Sequence, residues 1–302
     1  MKERFYDYNH AAMVRENKLT KGADEMANIY GSHFEYASKS SREYGLVIAT
    51  VETEQMKRLA GDIDGITVFS KSANKRYLIN DDKSDSPLSF DIEILTVDQR
   101  TLDYVERRKI EKWLFNKHDY RKLYIDMADD PFCETYEIID GVRKRNYLNC
   151  RFINAEKLEY NGVVVGYKAT LEADSSMFWQ DAIIKTFTIN NDDPSLSSQI
   201  TVKVDSDMDD YIYPKVVFTL GSYGGDVIIA NHSDDSTRLT KFVGLPTYAQ
   251  ITMKGDLNYI SGQYYEKFYK SNFIRLLDGN NNISVTGDVR SITFEFQNRR
   301  AF

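Results

Sequence analysis

The chain has 302 residues, enough for two ordinary domains or one large one. Its 42% hydrophobic and 28% charged residues are those of a globular chain and exclude a disordered one. The net charge of −7, from 39 basic and 46 acidic side chains, argues against a general nucleic-acid binder, and no apolar run approaches the length of a transmembrane helix.

The aromatic content departs from the ordinary: 21 Tyr, 16 Phe and 2 Trp, against only 5 Pro. Such residues favour half-buried pleated surfaces and protein interfaces. The opening residues carry five basic and five acidic side chains up to residue 31 and lack an apolar signal region. Residues 10–29 read as a weak helix, and residues 1–31 as an arm that orders on assembly.

From His33 the texture becomes β-rich, with two strands expected around a Ser-Ser-Arg turn in residues 33–55. The cluster Gly61-Asp62-Ile63-Asp64-Gly65 reads as a turn leading into a strand at Ile66–Phe69. Residues Pro87–Leu95 alternate apolar and polar with period two, which predicts a strand with one buried face. A helix follows, its stripe formed by Leu102, Val105, Ile110, Trp113 and Leu114 and its start capped by Asp98 or Thr101. A short strand at Leu123–Asp126 and a turn at Asp129-Asp130-Pro131 come next. Two hairpins are predicted at Asp140-Gly141 and Asn161-Gly162, because these dipeptides accept the positive φ that tight turns need.

The polar stretch Asn190–Ser195 marks the expected boundary between a domain at 32–188 and a second at 189–302. Beyond it the expected strands are 198–204, 215–220, 226–231, 237–242, 250–253, 258–261, 271–277, 282–286 and 291–297. Many short strands at this spacing predict a sandwich. The fold class is therefore mainly β: an N-terminal antiparallel, β-sandwich-like domain with one amphipathic helix, then a C-terminal β-sandwich.

Chemistry is scarce. The four histidines, His10, His33, His118 and His232, fall in no metal-binding spacing, and His118 with Cys133 and Cys150 makes no local ligand set. Two cysteines in a chain of this size read as reduced thiols rather than a disulfide framework. Asp205–Asp210 begins like a calcium loop but has Asp210 where Gly and Val216 where Glu are required, so a solvated acidic turn is expected. Gly221–Gly225 lies between two strands and reads as a hairpin loop. No nucleophile-elbow or phosphate-loop motif occurs, so no catalytic residue, metal or cofactor is expected.

What remains is aromatic. Tyr259, Tyr264, Tyr265, Phe268 and Tyr269, with Phe273, crowd into fifteen residues. On a surface the first five would contact a partner or a saccharide. The competing expectation is that some members fill the core while others line a sheet face.

Several segments in order carry a family resemblance: SSREYGLVI, the Lys112-Trp113-Leu114 helix end, KLYID with its Asp-Pro turn, YLNCRFINAEKLEYNG, and GYKATLEADSSMFWQD. Later come Asp226–Asn231 and the Leu-x-x-Gly-x-Asn pattern at Leu276–Asn281. Over residues 33–302 this resembles the distal tail protein (Dit) family of siphophages that infect Gram-positive hosts. The resemblance implies a galectin-like C-terminal sandwich and a structural, non-enzymatic role. It implies a ring, usually a hexamer, at the virion tail tip, assembled in the host cytoplasm and without membrane insertion of its own. The implied partners are the tail tube protein, tail-tip or tail-associated proteins and receptor-binding proteins, with DNA only in transit through the channel. The alternative is a carbohydrate-binding tail protein whose second domain grips cell-wall saccharide. The usual sugar-binding set is not assembled there, since Trp113 and Trp179 both lie in the first domain.

Overall fold

The computed structural model describes residues 31–49, 64–70, 75–82, 87–97, 100–126, 136–189, 195–207, 211–235, 238–269 and 272–300. The expected arm, the turn at Asp129–Pro131 and Cys133 lie outside them. The chain divides into two compact units, one of residues 1–138, 145–179 and 301–302, the other of Ile139–Lys144 and Gln180–Arg300.

In the first unit the elements are β1 (Gly31–Ser32), β2 (Phe34–Tyr36), β3 (Lys39–Ser40), β4 (Leu46–Ala49), β5 (Asp64–Ser70), β6 (Lys75–Asp82), β7 (Ser89–Thr96), α1 (Tyr104–Leu114), β8 (Arg121–Ile125), β9 (Tyr136–Ile139), β10 (Val142–Tyr160), β11 (Val163–Ala173) and β12 (Phe178–Gln180). One antiparallel sheet runs β1-β4-β7-β11-β10-β8-β2-β3. Buried side chains from β2, β4, β7, β8, β10 and β11 all enter a single apolar cluster. A sheet of that many strands can feed one core only by folding over it, which makes the unit sandwich-like.

The alternation in Pro87–Leu95 is realised in β7, where Ile92 and Ile94 face inward. The hairpin turns are as the dipeptides require: Asp140 and Gly141 have φ of 52° and 74°, Asn161 and Gly162 of 51° and 78°. The Ser-Ser-Arg turn is a short 3-10 helix, Ser41–Tyr44, closed by Gly45. Asp64 and Gly65, read as a turn, already belong to β5, which pairs with the unanticipated β6.

Two details of α1 correct the sequence reading. Its N-cap is Asp103, whose carboxylate accepts from the Glu106 amide (2.8 Å) while Glu106 reaches back to the Asp103 amide (3.3 Å). A cap one residue before the helix satisfies the orphan amides of its first turn, and Thr101 stands too early to do so. Val105 is 55% exposed, whereas Ile110, Trp113 and Leu114 are buried in the sheet core. The stripe is narrower than its apolar residues suggest.

The second unit holds β13 (Ile183–Thr188), β14 (Ser197–Val204), β15 (Lys215–Leu220), β16 (Gly225–Asn231), β17 (Thr240–Leu245), β18 (Gln250–Lys254), β19 (Tyr259–Ile260), β20 (Phe268–Tyr269), β21 (Gly279–Thr286), β22 (Val289–Phe296) and β23 (Arg299–Arg300). The ten strands β13 to β22 form two five-stranded antiparallel sheets, β13-β22-β15-β18-β19 and β14-β21-β16-β17-β20. Their inward residues share one core, in which Phe218 of the first sheet meets Phe242 of the second at 5.4 Å. This is a β-sandwich.

The second unit starts at Gln180 rather than 189, because β13 pairs with β22 through six residues, Ile183 opposite Phe296 to Thr188 opposite Ser291. Gly221–Gly225 is not a hairpin loop: β15 and β16 lie in different sheets, so the loop crosses between them. Asp288 fixes it, its carboxylate accepting from the Tyr223 and Gly224 amides. The strand expected at 271–277 is also absent from the described residues 272–277, where the pairing is an isolated bridge between Ile212 and Leu276.

Candidate functional site

The described residues contain no group of histidine, cysteine and acidic side chains placed to hold a metal ion. Cys150 is buried and free, and burial pushes its thiol well above the usual range, which disfavours the reactive thiolate. The acidic turn is not merely solvated: Arg300 donates to the Asp205 carbonyl and carboxylate and to the Asp207 carboxylate. These two acids thus share one cation, which offsets part of their charge.

The five singled-out aromatics divide between core and surface. Phe268 and Tyr264 pack against the sandwich core, and Phe268 links Phe242 and Phe273 with centroids at 5.1 Å from each. Tyr259, Tyr265 and Tyr269 are exposed. Tyr259 sits in β19 of one sheet and Tyr269 in β20 of the other, so the five do not form one continuous face. Lys241 lies 5.6 Å from the Tyr269 ring and 3.7 Å from the Asp226 carboxylate.

A polar network that sequence spacing did not single out as a site lies on the Leu-x-x-Gly-x-Asn segment. Gly279 takes φ of 90°, a conformation costly to any residue with a Cβ, and turns the chain so that Asn281 enters the core. Asn281 is 0% exposed. Its Oδ1 accepts from Asn231 Nδ2 (2.8 Å) and the Leu277 amide (2.9 Å), and its Nδ2 donates to the Leu277 carbonyl (2.8 Å). Asn231 Nδ2 also donates to the Arg275 carbonyl (2.9 Å). Asn231 closes Asp226–Asn231, so two segments that carried the resemblance meet through this amide pair.

Beside it, Arg275 grips Asp234 with two bonds, Nε to Oδ2 at 2.7 Å and a terminal nitrogen to Oδ1 at 2.9 Å. The guanidinium lies 3.4 Å from the centre of the Tyr211 ring. Burial pushes the Asp234 carboxyl up, but the Arg275 hydrogen bonds, the Asp235 amide and the two nearby arginine charges outweigh it and hold the pKa below the ordinary value. A group whose folded pKa is depressed stabilises the fold above its unfolded pKa of about 3.9, and that contribution is lost as pH falls through the depressed value. The second unit is therefore expected to melt progressively lower as pH drops below about 4. Asp234→Asn should start from a lower melting temperature at pH 7 and show a flatter acid dependence, as followed by calorimetry from pH 7 to 2.

These contacts do structural work. They hold β14, β16 and β21 and the segment before β21 in one arrangement, and none presents a nucleophile, an acid–base pair or a ligand cage.

Two family models match, one described as a phage tail protein N-terminal domain over residues 29–175, the other as a phage tail C-terminal domain over 179–296. No curated protein matches. Among solved structures, the SPP1 Dit protein, described as a hub adsorption apparatus in phages infecting Gram-positive hosts, superposes with a TM-score of 0.59 at 11% identity, covering 89% of this chain and 99% of that one. A chain of the phage P2 baseplate in its activated, calcium-bound conformation gives 0.47 at 9% identity, with 89% and 98% covered. Its strontium counterpart gives 0.48 at 8% identity with the same coverage. With family matches that together run from residue 29 to 296, and a two-unit β architecture shared with SPP1 Dit, the chain belongs to the phage tail protein family and has the distal tail protein fold.

Proposed function

We propose that this phage tail protein is a structural ring component of the virion tail tip. The first unit closes a homo-oligomeric ring, a hexamer by analogy with the family, and the second unit, 180–300 with the 139–144 hairpin tip, holds receptor-binding or other baseplate proteins. The observation that carries this reading is the match of both tail domains in order, over 29–175 and 179–296.

The surface of the first unit supports it. Tyr104, Val105, Tyr160 and Val163 are exposed apolar side chains on neighbouring elements, since the Leu102 amide donates to the Val164 carbonyl. An exposed apolar cluster of this kind suits an interface. In the second unit the exposed Tyr265 and Tyr269, and separately Tyr259 on the other sheet, are the side chains assigned to partner contact. The acidic balance of the chain suits a channel through which DNA slides without being held, because fixed negative charge repels phosphate. Assembly takes place in the host cytoplasm, with the tail tube on one side of the ring and tail-tip proteins on the other.

The solution mass tests this reading. A particle near six times 35.0 kDa by light scattering supports the ring, and a strict monomer at all concentrations sinks it.

A further inference from the structure

One charged surface stands out against the acidic whole. An open groove of about 430 Å³ in the first unit is lined by Lys39, Lys109, Lys112 and Lys117, with Ala37, Tyr44 and Trp113. No acidic side chain lines it, and none of the four lysines has an ion pair among the described residues. Four ammonium groups around one concavity repel each other and raise the affinity for an anionic partner. Trp113 is buried beneath Tyr44, stacked at 5.3 Å, so its ring faces are not offered to nucleic-acid bases.

A complementary surface lies on the same unit. The β10–β11 hairpin end is exposed from Asn154 to Val163 except at the half-buried Leu158, and carries Glu156 and Glu159 together with Tyr160. Neither glutamate has an ion pair among the described residues. Register shifts between Ile153 and Glu156 and between Leu158 and Glu159 bend this end of the ladder away from regular pairing.

The two surfaces lie on different flanks of α1. Glu111 of the helix faces β10 and β11, with Lys157 at 3.2 Å and the Tyr167 hydroxyl at 3.4 Å. Lys109 and Trp113, which line the groove, are roughly 160° around the helix from Glu111 at 3.6 residues per turn. Two copies cannot pair groove to groove, because lysine would face lysine. Groove to hairpin is a head-to-tail contact, and repeated head-to-tail contacts generate a ring when the rotation closes.

We infer that the lysine groove of one copy receives the Glu156–Tyr160 end of the β10–β11 hairpin of the next copy, as the charge-paired part of the subunit interface. This rests on the ring reading and names one of its contacts. The partner is a second copy of this chain, and the recognised chemistry is a pair of carboxylates beside an exposed tyrosine.

Charge reversal on the full chain tests it. Lys109→Glu with Lys112→Glu should weaken self-association by at least about tenfold, as should Glu156→Lys with Glu159→Lys. Mixing the two variants brings each reversed groove to a reversed hairpin, and a chain with all four changes should recover much of the lost association. All four sites are exposed, so thermal melts of the single pairs matching the unaltered chain establish that they fold. Self-association should also weaken as salt rises from 0.05 to 0.5 M, values of the order at which screening shortens from about 14 to 4 Å. A wild-type ring unaffected by either pair of reversals overturns this contact and leaves the ring reading standing. A wild-type chain that is monomeric throughout removes both. Binding of a labelled DNA duplex that the lysine reversals abolish, with self-association unchanged, also overturns the contact and assigns the groove to nucleic acid.

Discussion

Asn281→Ala is expected to destabilise the second unit by about 3 kcal/mol. The loss comes from stranded partners rather than from lost volume. The Leu277 amide and carbonyl, half-buried, and the buried Asn231 amide group would each be left with one bond fewer. A buried group left without its partner costs about 1–3 kcal/mol. Asn281 Nδ2 also reaches the Val202 carbonyl at 3.3 Å, so the side chain ties β14 and β16 to β21, three adjacent strands of one sheet. Asn281→Asp is the informative comparison. It keeps the acceptor and removes the donor, so it should be destabilising at pH 7 and partly relieved on acidification as the carboxyl gains a proton. Urea unfolding at pH 7 and pH 5 reads both effects.

Trp113→Ala should cost the first unit about 4 kcal/mol. The indole is 3% exposed and stacks between Phe34, at 5.8 Å and 7° between planes, and Tyr44, at 5.3 Å and 28°. Its Nε1 donates to the Tyr36 carbonyl at 2.8 Å. Truncation therefore opens a cavity between α1 and the sheet and leaves a carbonyl unpaired. Trp113→Phe separates the two contributions: the ring stack is largely kept, the hydrogen bond is not, and a loss of about 1–2 kcal/mol is expected. Because Trp113 also floors the lysine groove, the alanine variant should lose self-association along with stability, whereas the phenylalanine variant should lose little of either. Calorimetry paired with light scattering distinguishes these cases.

How much of this was legible in the sequence depends on the range of the interaction. Local rules held where local chemistry decides the outcome. Asp140-Gly141 and Asn161-Gly162 turn where they should because few other dipeptides accept two positive φ values. The alternation of Ser89–Thr96 marks a strand because one face is buried and the other is not. Signals failed where a distant partner decides. Lys75–Asp82 is too polar to announce a strand and is one through its pairing with β5. Ile183–Thr188 follows β12 without turn residues to set it apart, and its partner β22 lies more than a hundred residues on.

The segment before β21 is the most instructive failure. Its apolar residues suggested a strand, yet Phe273, Ile274 and Leu276 are buried while Arg275 turns to Asp234, 41 residues away in sequence. Buried apolar side chains do not require a paired backbone, and no spacing rule connects Asp234 to Arg275. The lysine groove was invisible for the same reason: Lys39 and the α1 lysines are seventy residues apart, and the net charge of −7 conceals a local excess of positive charge. Of the aromatic cluster, composition gave the location, and only the fold separates Phe268, which packs on the core, from Tyr265 and Tyr269, which do not.

The proposed ring closes through the first unit of this tail protein. Electron microscopy of the purified full chain, in negative stain and at low salt, tests it most directly. Discrete annular particles with a central hole and a small fixed number of identical lobes are expected. Solid, hole-free particles, or single 35.0 kDa chains at every concentration tried, would contradict it.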